Sequence, residues 1–416
     1  MVKNTVAETG ASAGTDMPAI EHQEKNINRK MKFRKYDADV LRENFRQRFH
    51  AAPLLFRSPG RINIIGEHTD YNEGFVLPAA IDKAAYVAVS KRNDDNIKLA
   101  SLAFDETYTC KISEVRPLKS WTDYVLGIID QLTKHGIDIG GFNFVLDGDI
   151  IIGAGLSSSA AVECSVLYSL NELFALGLSK IQMVKMAQAA EHEFAGVKCG
   201  IMDQFASVFG KADHAIQLDC RSLEYQYVPL HMEGIKIVLF NSNVSHSLAS
   251  SEYNTRRQQC EQGVAWVQQQ MPKVQSLRDV SLEMLQQHVL PKDALIYKRC
   301  KYVLEENLRL LAACDDLKKG DTAALGQKMF RTHEGLSKEY EVSCSELDWL
   351  VQYVHNEKDV LGARMMGGGF GGCSINLVKE NAVDALVEKV NAQYRQATGL
   401  TLSAYVVQIA DGTEEI

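Results

Sequence analysis

The stretch Gly153-Ala154-Gly155-Leu156-Ser157-Ser158-Ser159-Ala160-Ala161 most narrows what this chain can fold into. It follows an alternating segment, Phe142 to Ile150, with the period of a strand. It leads into Ala160 to Phe174, an apolar run that reads as a helix. A glycine-rich turn between strand and helix leaves backbone N–H groups uncovered at the positive end of the helix dipole, and the serines add hydroxyls around them. Such a place attracts phosphate. A serine N-cap after a glycine turn is the plainer reading, yet three contiguous serines after Gly-x-Gly exceed what one cap requires. The Lys-Ser/Thr ending of a Walker A loop is absent, a nucleophile elbow would need Gly two residues after its Ser, and the protein-kinase HRD and DFG signatures are missing.

At 416 residues the chain is long enough for two domains sharing a cleft, and its 46% hydrophobic and 24% charged content is ordinary for a globular protein. A net charge of −8 leaves no basic excess to neutralise a nucleic-acid backbone, so no nucleic-acid partner is expected. A small anionic substrate needs only a local positive site. The nine cysteines include no Cys-x-x-Cys pair, which points to reduced thiols rather than a disulfide framework or structural zinc. Residues 1–30 are polar, mix both charges and lack a hydrophobic segment. They read as a flexible extension, neither signal nor transit peptide. No apolar run approaches a membrane span, so the expected location is cytoplasmic.

Helical spacing of Val40, Leu41, Phe45 and Phe49 marks a first helix over Tyr36 to Phe49, and a short strand is expected from Ala52 to Arg57. Ser58 to Asn72 punctuates like a loop but is dense in functional groups. Strands of one sheet follow at Ala84–Arg92, Ile97–Leu102 and Tyr108–Ile112, then a helix at Asp123–Leu132. Past Asp219 the chain reads as a second α+β unit: a buried strand at Ile235–Asn241, helices at Ser250–Gln269, Ala294–Ala313 and Ala323–His333, a strand at Cys373–Val378, a helix at Ala382–Tyr394 and a last strand at Leu402–Ile409. The domains expected are therefore 31–220 and 221–416. Five glycines in Gly367 to Gly372 are more than one turn needs.

Arg61, Glu67, His68 and Asp70 fall within ten residues beside Gly60 and Gly66, with Ile62, Ile64 and Ile65 able to anchor the segment in the core. A solvated Arg–carboxylate turn and a metal site from Glu, His and Asp are the competing readings; a ligand rich in hydroxyls needs several acceptors at fixed positions, which this segment supplies. Glu191-His192 and Gly200-Ile201-Met202-Asp203-Gln204 offer further carboxylates. Asp203 alone reads as an N-cap for the segment from Gln204 to Phe209.

Taken together, these segments resemble a known family. Gly60 to Asn72 is similar to the galactokinase signature. Gly153 to Ala161 resembles the second motif of the galactose, homoserine, mevalonate and phosphomevalonate (GHMP) kinase superfamily, and Gly367 to Gly372 resembles its third. Cys199 to Gln204 and Asn241 to Tyr253 match galactokinases as well, and the similarity spans Ala52 to the C-terminus. Met366 departs from the pattern: many galactokinases have Thr there, which bears on local loop packing.

The resemblance implies an α+β, two-domain small-molecule kinase fold of the GHMP type with the active site in the inter-domain cleft. It implies ATP-dependent phosphorylation of the C1 hydroxyl of α-D-galactose to galactose 1-phosphate, with Mg2+ as cofactor, galactose and ATP as partners and no obligate protein partner. Asp203 would be the general base and Arg61 would lie beside it and the transferring group. Glu67, His68, Thr69, Asp70 and Tyr253 would bind the sugar, with Asp70 near the 3- and 4-hydroxyls and Glu67 near the 6-hydroxyl. Gly153, Ala154, Gly155, Leu156, Ser157, Ser158 and Ser159 would receive ATP, and Ser159 and Glu191 would hold the metal. His192 is read as structural. Two other readings share the resemblance: a sensor that binds galactose and ATP without turnover, and a kinase for N-acetylgalactosamine or a related sugar.

Overall fold

The computed structural model describes residues 36–151, 153–244 and 249–416, so the extension assigned to residues 1–30 lies outside them. In chain order the strands are β1 (Leu54–Asn63), β2 (Phe75–Val76), β3 (Pro78–Lys91), β4 (Asn96–Ser101), β5 (Glu106–Lys111), β6 (Phe142–Gly148), β7 (His214–Asp219), β8 (Tyr225–Pro229), β9 (Ile235–Asn241), β10 (Val360–Met365), β11 (Cys373–Lys379), β12 (Ser403–Val407) and β13 (Glu414–Glu415). They form a six-stranded sheet, β13-β1-β3-β6-β4-β5, a four-stranded sheet, β10-β11-β9-β12, and a three-stranded sheet, β2-β7-β8.

Strand alternation sorts the core. Val87, Val89 and Phe144 point to one face of the six-stranded sheet, where helix Ser158–Phe174 packs on β1 and β3. Their neighbours Tyr86, Ala88 and Val145 point to the other, which helix Ala38–Phe49 covers with Leu41 and Phe45. The four-stranded sheet is buried on both sides. Ile237 and Leu239 of β9 join the core shared with the first half of the chain, while Val238 and Phe240 pack on Leu350, Val354, Leu386 and Val390 of helices Ser345–His355 and Val383–Thr398. This is why β9 reads as a continuous apolar run.

Three features bear on the sequence expectation. The strand expected over Ala52–Arg57 continues through Pro59 and Gly60 to Asn63, because the register with β3 shifts between Pro59 and Arg61 and a bulge tolerates a residue without an N–H. The boundary expected between residues 220 and 221 lies in the turn of the β7–β8 hairpin, and β13 returns to pair with β1. Strands β2, β7, β8, β10 and β13 and helices Leu282–His288 and Ser345–His355 have no counterpart in the sequence reading. All nine cysteines are free thiols.

The two halves meet through Arg364 of β10, which is fully buried. Its Nε donates to the Ile64 carbonyl at 2.9 Å, its Nη2 to the Asn63 carbonyl, and its Nη1 to Glu67 Oε1 at 3.0 Å. Without it Glu67 would be a buried carboxylate with no salt-bridge partner. Replacing Arg364 with Met therefore leaves an uncompensated charge, and chemical denaturation should show a loss of about 3–5 kcal/mol; a loss under about 1 kcal/mol would mean that Glu67 finds another partner.

Candidate active site

The β1 bulge aims Arg61 at the helix Met202–Phe209. Gly60 makes this possible, because a Cβ there would sit 2.7 Å from the Leu156 carbonyl, the group that accepts from Arg61 N at 3.2 Å. Arg61 Nε and Nη2 reach Asp203 Oδ1 and Oδ2 at 2.7 and 2.9 Å, a two-point fork. Its Nη1 donates to the Gly155 carbonyl at 2.5 Å. Burial works against the Arg61 charge, but Asp203, Glu67 and Asp70 outweigh it and hold the guanidinium above its ordinary range. Asp203 is the second residue of its helix rather than the N-cap, and its side chain serves the ion pair instead.

The glycine-serine loop closes on the same pair. Gly153, Gly155 and Ser157 all have left-handed backbones. Ser157 precedes the helix without capping it: its hydroxyl donates to Asp203 Oδ2 at 2.5 Å. Oδ2 thus accepts two bonds and Oδ1 one, which leaves Oδ1 with acceptor capacity. The helix starts at Ser158, two residues earlier than expected, so the hydroxyls of Ser158 and Ser159 ride on its first turn.

Two cavities meet here. One, of about 330 Å3, is lined by Arg61, Glu67, His68, Asp70, Asp203 and Tyr253, with Gly367 to Gly369 and Glu191 along its wall. The other, of about 510 Å3, is lined by Ser158 and Ser159 together with Phe104, Lys119, Trp121 and Tyr124. Ser159 lines the second and Glu191 the first, and Ser159 Oγ donates to Glu191 Oε1 at 2.9 Å across the divide. Gln204 Nε2, at 2.6 Å, and the Cys199 thiol, at 3.2 Å, hold Glu191 Oε2. Burial raises the pKa of Glu191.

In the smaller cavity, Glu67 Oε1 accepts from Gly367 N at 2.9 Å as well as from Arg364, which ties the first motif to the third. His68 Nδ1 lies 2.8 Å from Tyr71 OH, itself 2.9 Å from Tyr340 OH, and burial pulls His68 down to about 4, so the ring is neutral. Burial, reinforced by Asp203, pushes Asp70 up to about 7. The Tyr253 ring stands 5.4 Å from that of His68. The Thr69 hydroxyl lies 2.9 and 2.6 Å from the Gly66 and Phe75 carbonyls, fully buried in the turn, and is not among the residues that line the cavity. His192 Nε2 is 2.7 Å from the Cys199 carbonyl, a structural contact. Met366 is buried in the core. Among the described residues no cluster of three or more His, Cys, Asp or Glu could hold a metal.

The sequence reading missed Tyr71, Tyr340, Arg364 and, Ser158 and Ser159 apart, the lining of the larger cavity. Tyr71 sat inside a motif already singled out. Lys119-Ser120-Trp121 carries no periodic signal, and only Trp121, one of three tryptophans, marked it.

Two cavities bridged at a helix N-terminus by the Ser159–Glu191 hydrogen bond, the smaller one lined by a fixed Arg–Asp pair, suit a small-molecule kinase of the GHMP class. Residues 123–211 match the GHMP kinases N terminal domain and 313–396 the GHMP kinases C terminal domain. Residues 43–91 match the galactokinase galactose-binding signature. The chain is 44% identical to the galactokinase of Thermotoga maritima over 363 residues, covering 87% of this chain and 100% of that one. It is 41% identical to that of Clostridium beijerinckii, covering 91% and 99%. The crystal structure of Lactococcus lactis galactokinase complexed with galactose superposes with a TM-score of 0.88 at 36% identity, covering 91% of this chain and all of that one. Methanococcus jannaschii mevalonate kinase shares the fold at a TM-score of 0.61 and 17% identity. The chain belongs to the galactokinase family.

The Asp70 environment has a consequence for stability. The folded protein holds a proton on Asp70 up to about pH 7, whereas the unfolded chain releases it near pH 3.9, so this group's contribution falls as pH rises between those values. Asp70→Asn removes the charge. Its melting temperature relative to the parent chain should therefore rise between pH 5 and pH 8 without ligand, modestly, since Asp70 keeps part of its surface open. An unchanged difference would place Asp70 in the ordinary carboxylate range.

Proposed function

We propose that the chain transfers the γ-phosphoryl group of ATP to the C1 hydroxyl of α-D-galactose, giving ADP and galactose 1-phosphate. The observation that carries this reading is the Arg61–Asp203 fork in the wall of the smaller cavity, in a chain of this family. In this reading the sugar occupies the smaller cavity and ATP the larger. Asp203 Oδ1, the oxygen with acceptor capacity, takes the hydroxyl proton as general base. Arg61 is pinned through three nitrogens and so is already oriented when charge builds on the transferring group, which costs no rearrangement during the reaction. The first turn of helix Ser158–Phe174 offers unpaired N–H groups to the phosphates. Phe104 and Trp121, with planes within 10° and centroids 6.3 Å apart, offer flat apolar faces to the adenine.

Glu67, with one oxygen fixed by Arg364 and Gly367, and neutral His68 contribute acceptors and donors to the sugar hydroxyls. Near neutrality Asp70 can accept from the axial 4-hydroxyl or donate to it. Glucose points that hydroxyl elsewhere and would leave Asp70 unpaired, at a cost of about 1–3 kcal/mol.

The residues present suit Mg2+. Ser159 and Glu191 provide a hydroxyl and a carboxylate, hard oxygen donors, at the boundary between nucleotide and sugar, and the hydrogen bonds to Glu191 come from Ser159, Cys199 and Gln204, none of them cationic. When bound, the ion would neutralise charge on the nucleotide phosphates.

Initial rates of ADP release with galactose, glucose and N-acetylgalactosamine test the assignment. Galactose should be turned over best. No turnover of any sugar would favour a sensor, and a faster rate with N-acetylgalactosamine would reassign the substrate. In the same assay Asp203→Asn should lose on the order of 100-fold or more in kcat while still binding galactose. Separately, Glu191→Ala and Ser159→Ala should shift the magnesium titration of activity to higher concentration; superimposable curves would leave the ion to ATP and water alone.

A further inference from the structure

Both members of the Arg61–Asp203 pair sit on elements that are weakly fixed by their own hydrogen bonds. Arg61 follows the bulge at Pro59 and Gly60, where the ladder to β3 is interrupted and Pro59 has no N–H. Asp203 belongs to a helix of two turns, Met202–Phe209, whose last carbonyls have no partner within the helix. A segment more than 200 residues further along the chain supplies what is missing.

Thr413 N and Thr413 Oγ1 both donate to the Ser207 carbonyl, at 2.8 and 2.9 Å. Since the Thr413 hydroxyl has only one hydrogen, the 2.8 Å contact with Ser58 Oγ must be a bond donated by Ser58. Ser207 Oγ in turn donates to the Pro59 carbonyl at 2.8 Å. Ser58, Thr413, Ser207 and Pro59 thus form a ring, its hydrogen bonds closed by the Ser58–Pro59 peptide and by Ser207 itself. Ser58 and Ser207 are fully buried and Thr413 is 4% exposed. Two members flank the bulge before Arg61, and Ser207 lies one helical turn past Asp203. The backbone approach behind the ring is close: a Cβ on Gly412 would lie 2.6 Å from the Val208 carbonyl, and Gly412 N donates to the Gly210 carbonyl at 2.9 Å. The same segment is fastened to β3 by Asp82 N to the Gln408 carbonyl and Ala410 N to the Ala80 carbonyl, at 2.9 and 3.0 Å.

We propose that Ser58, Ser207 and Thr413 are positioning residues that set the relation of Arg61 to Asp203, so that the segment between β12 and β13 tunes phosphoryl transfer without touching either substrate. This rests on the roles given above to Arg61 and Asp203. The ring binds the strand of one to the helix of the other, and none of its members lines either cavity.

The test is steady-state kinetics of Thr413→Val, Thr413→Ser, Ser207→Ala and Ser58→Ala with galactose and ATP, each checked for folding by its melting temperature. Thr413→Val and Ser207→Ala should lose about tenfold in kcat, as a displaced reacting pair does, with both KM values within about twofold of the parent chain. Thr413→Ser, which keeps the hydroxyl, should restore most of the rate. Thr413→Val combined with Ser207→Ala should be little worse than the poorer single variant, because both break one ring. If Thr413→Val does not fold, Ser58→Ala and Ser207→Ala carry the comparison. Parent-like kcat in the folded variants, a Thr413→Ser variant as slow as Thr413→Val, or kcat and KM moving together would overturn the proposal. Failure of the parent chain itself to phosphorylate galactose would instead strike at the function proposed above.

Discussion

The fork between Arg61 and Asp203 is the interaction on which the rest of the structure depends. Taking a guanidinium and a carboxylate out of water costs several kcal/mol per ion, and attraction alone offsets this only when the geometry is good and the remaining donors and acceptors are used. Here they are: Arg61 also donates to the Gly155 carbonyl, and Asp203 also accepts from Ser157. Every one of these contacts constrains something else. The bulge in β1, the absence of a side chain at Gly60, the left-handed turn at Ser157 and the shortness of the Asp203 helix are all conditions for closing one pair of bonds.

Around that pair, the sugar-binding segment belongs to neither half of the chain alone. Its N–H at Gly66 is capped by Glu306 at 2.9 Å, the N–H of Phe75 is held by Asn307 at 2.8 Å, and Arg364 grips the carbonyls of Asn63 and Ile64. Glu306 is itself buried, its carboxyl raised by that burial and accepting from Arg309 and Thr332. The first half thus supplies the groups that line the smaller cavity, and the second half supplies much of the rigidity that keeps them there.

What the sequence made legible follows from how local each signal is. The strand and helix around the serine loop were readable because apolar period and turn chemistry lie side by side in a few residues. Arg61, Glu67, Asp70 and Asp203 stood out because glycines next to charged groups are uncommon without a reason, although only the family resemblance told Asp203 apart from an ordinary helix cap. Arg364 and Tyr340 could not be found this way: one is a single polar residue in an apolar run, the other an aromatic among charged residues, and the meaning of each lies in a partner hundreds of residues away. Thr69 shows the opposite limit: it is a polar residue within the motif whose hydroxyl is used by the turn. The passage of β1 through Pro59 was hidden because proline and glycine normally end a strand, and only the register shift shows why they do not.

The pairing of β13 with β1 also bears on how the chain reaches this shape. Arg57 meets Glu414 across a sheet in which 357 positions of chain separate the two. During synthesis the edge of β1 emerges long before its partner and stays open until almost everything described here has been made, exposing an unpaired strand in the meantime. Such a molecule cannot complete its first half as a finished unit and then add the second. The last of the described strands seals the first, and that edge is closed late.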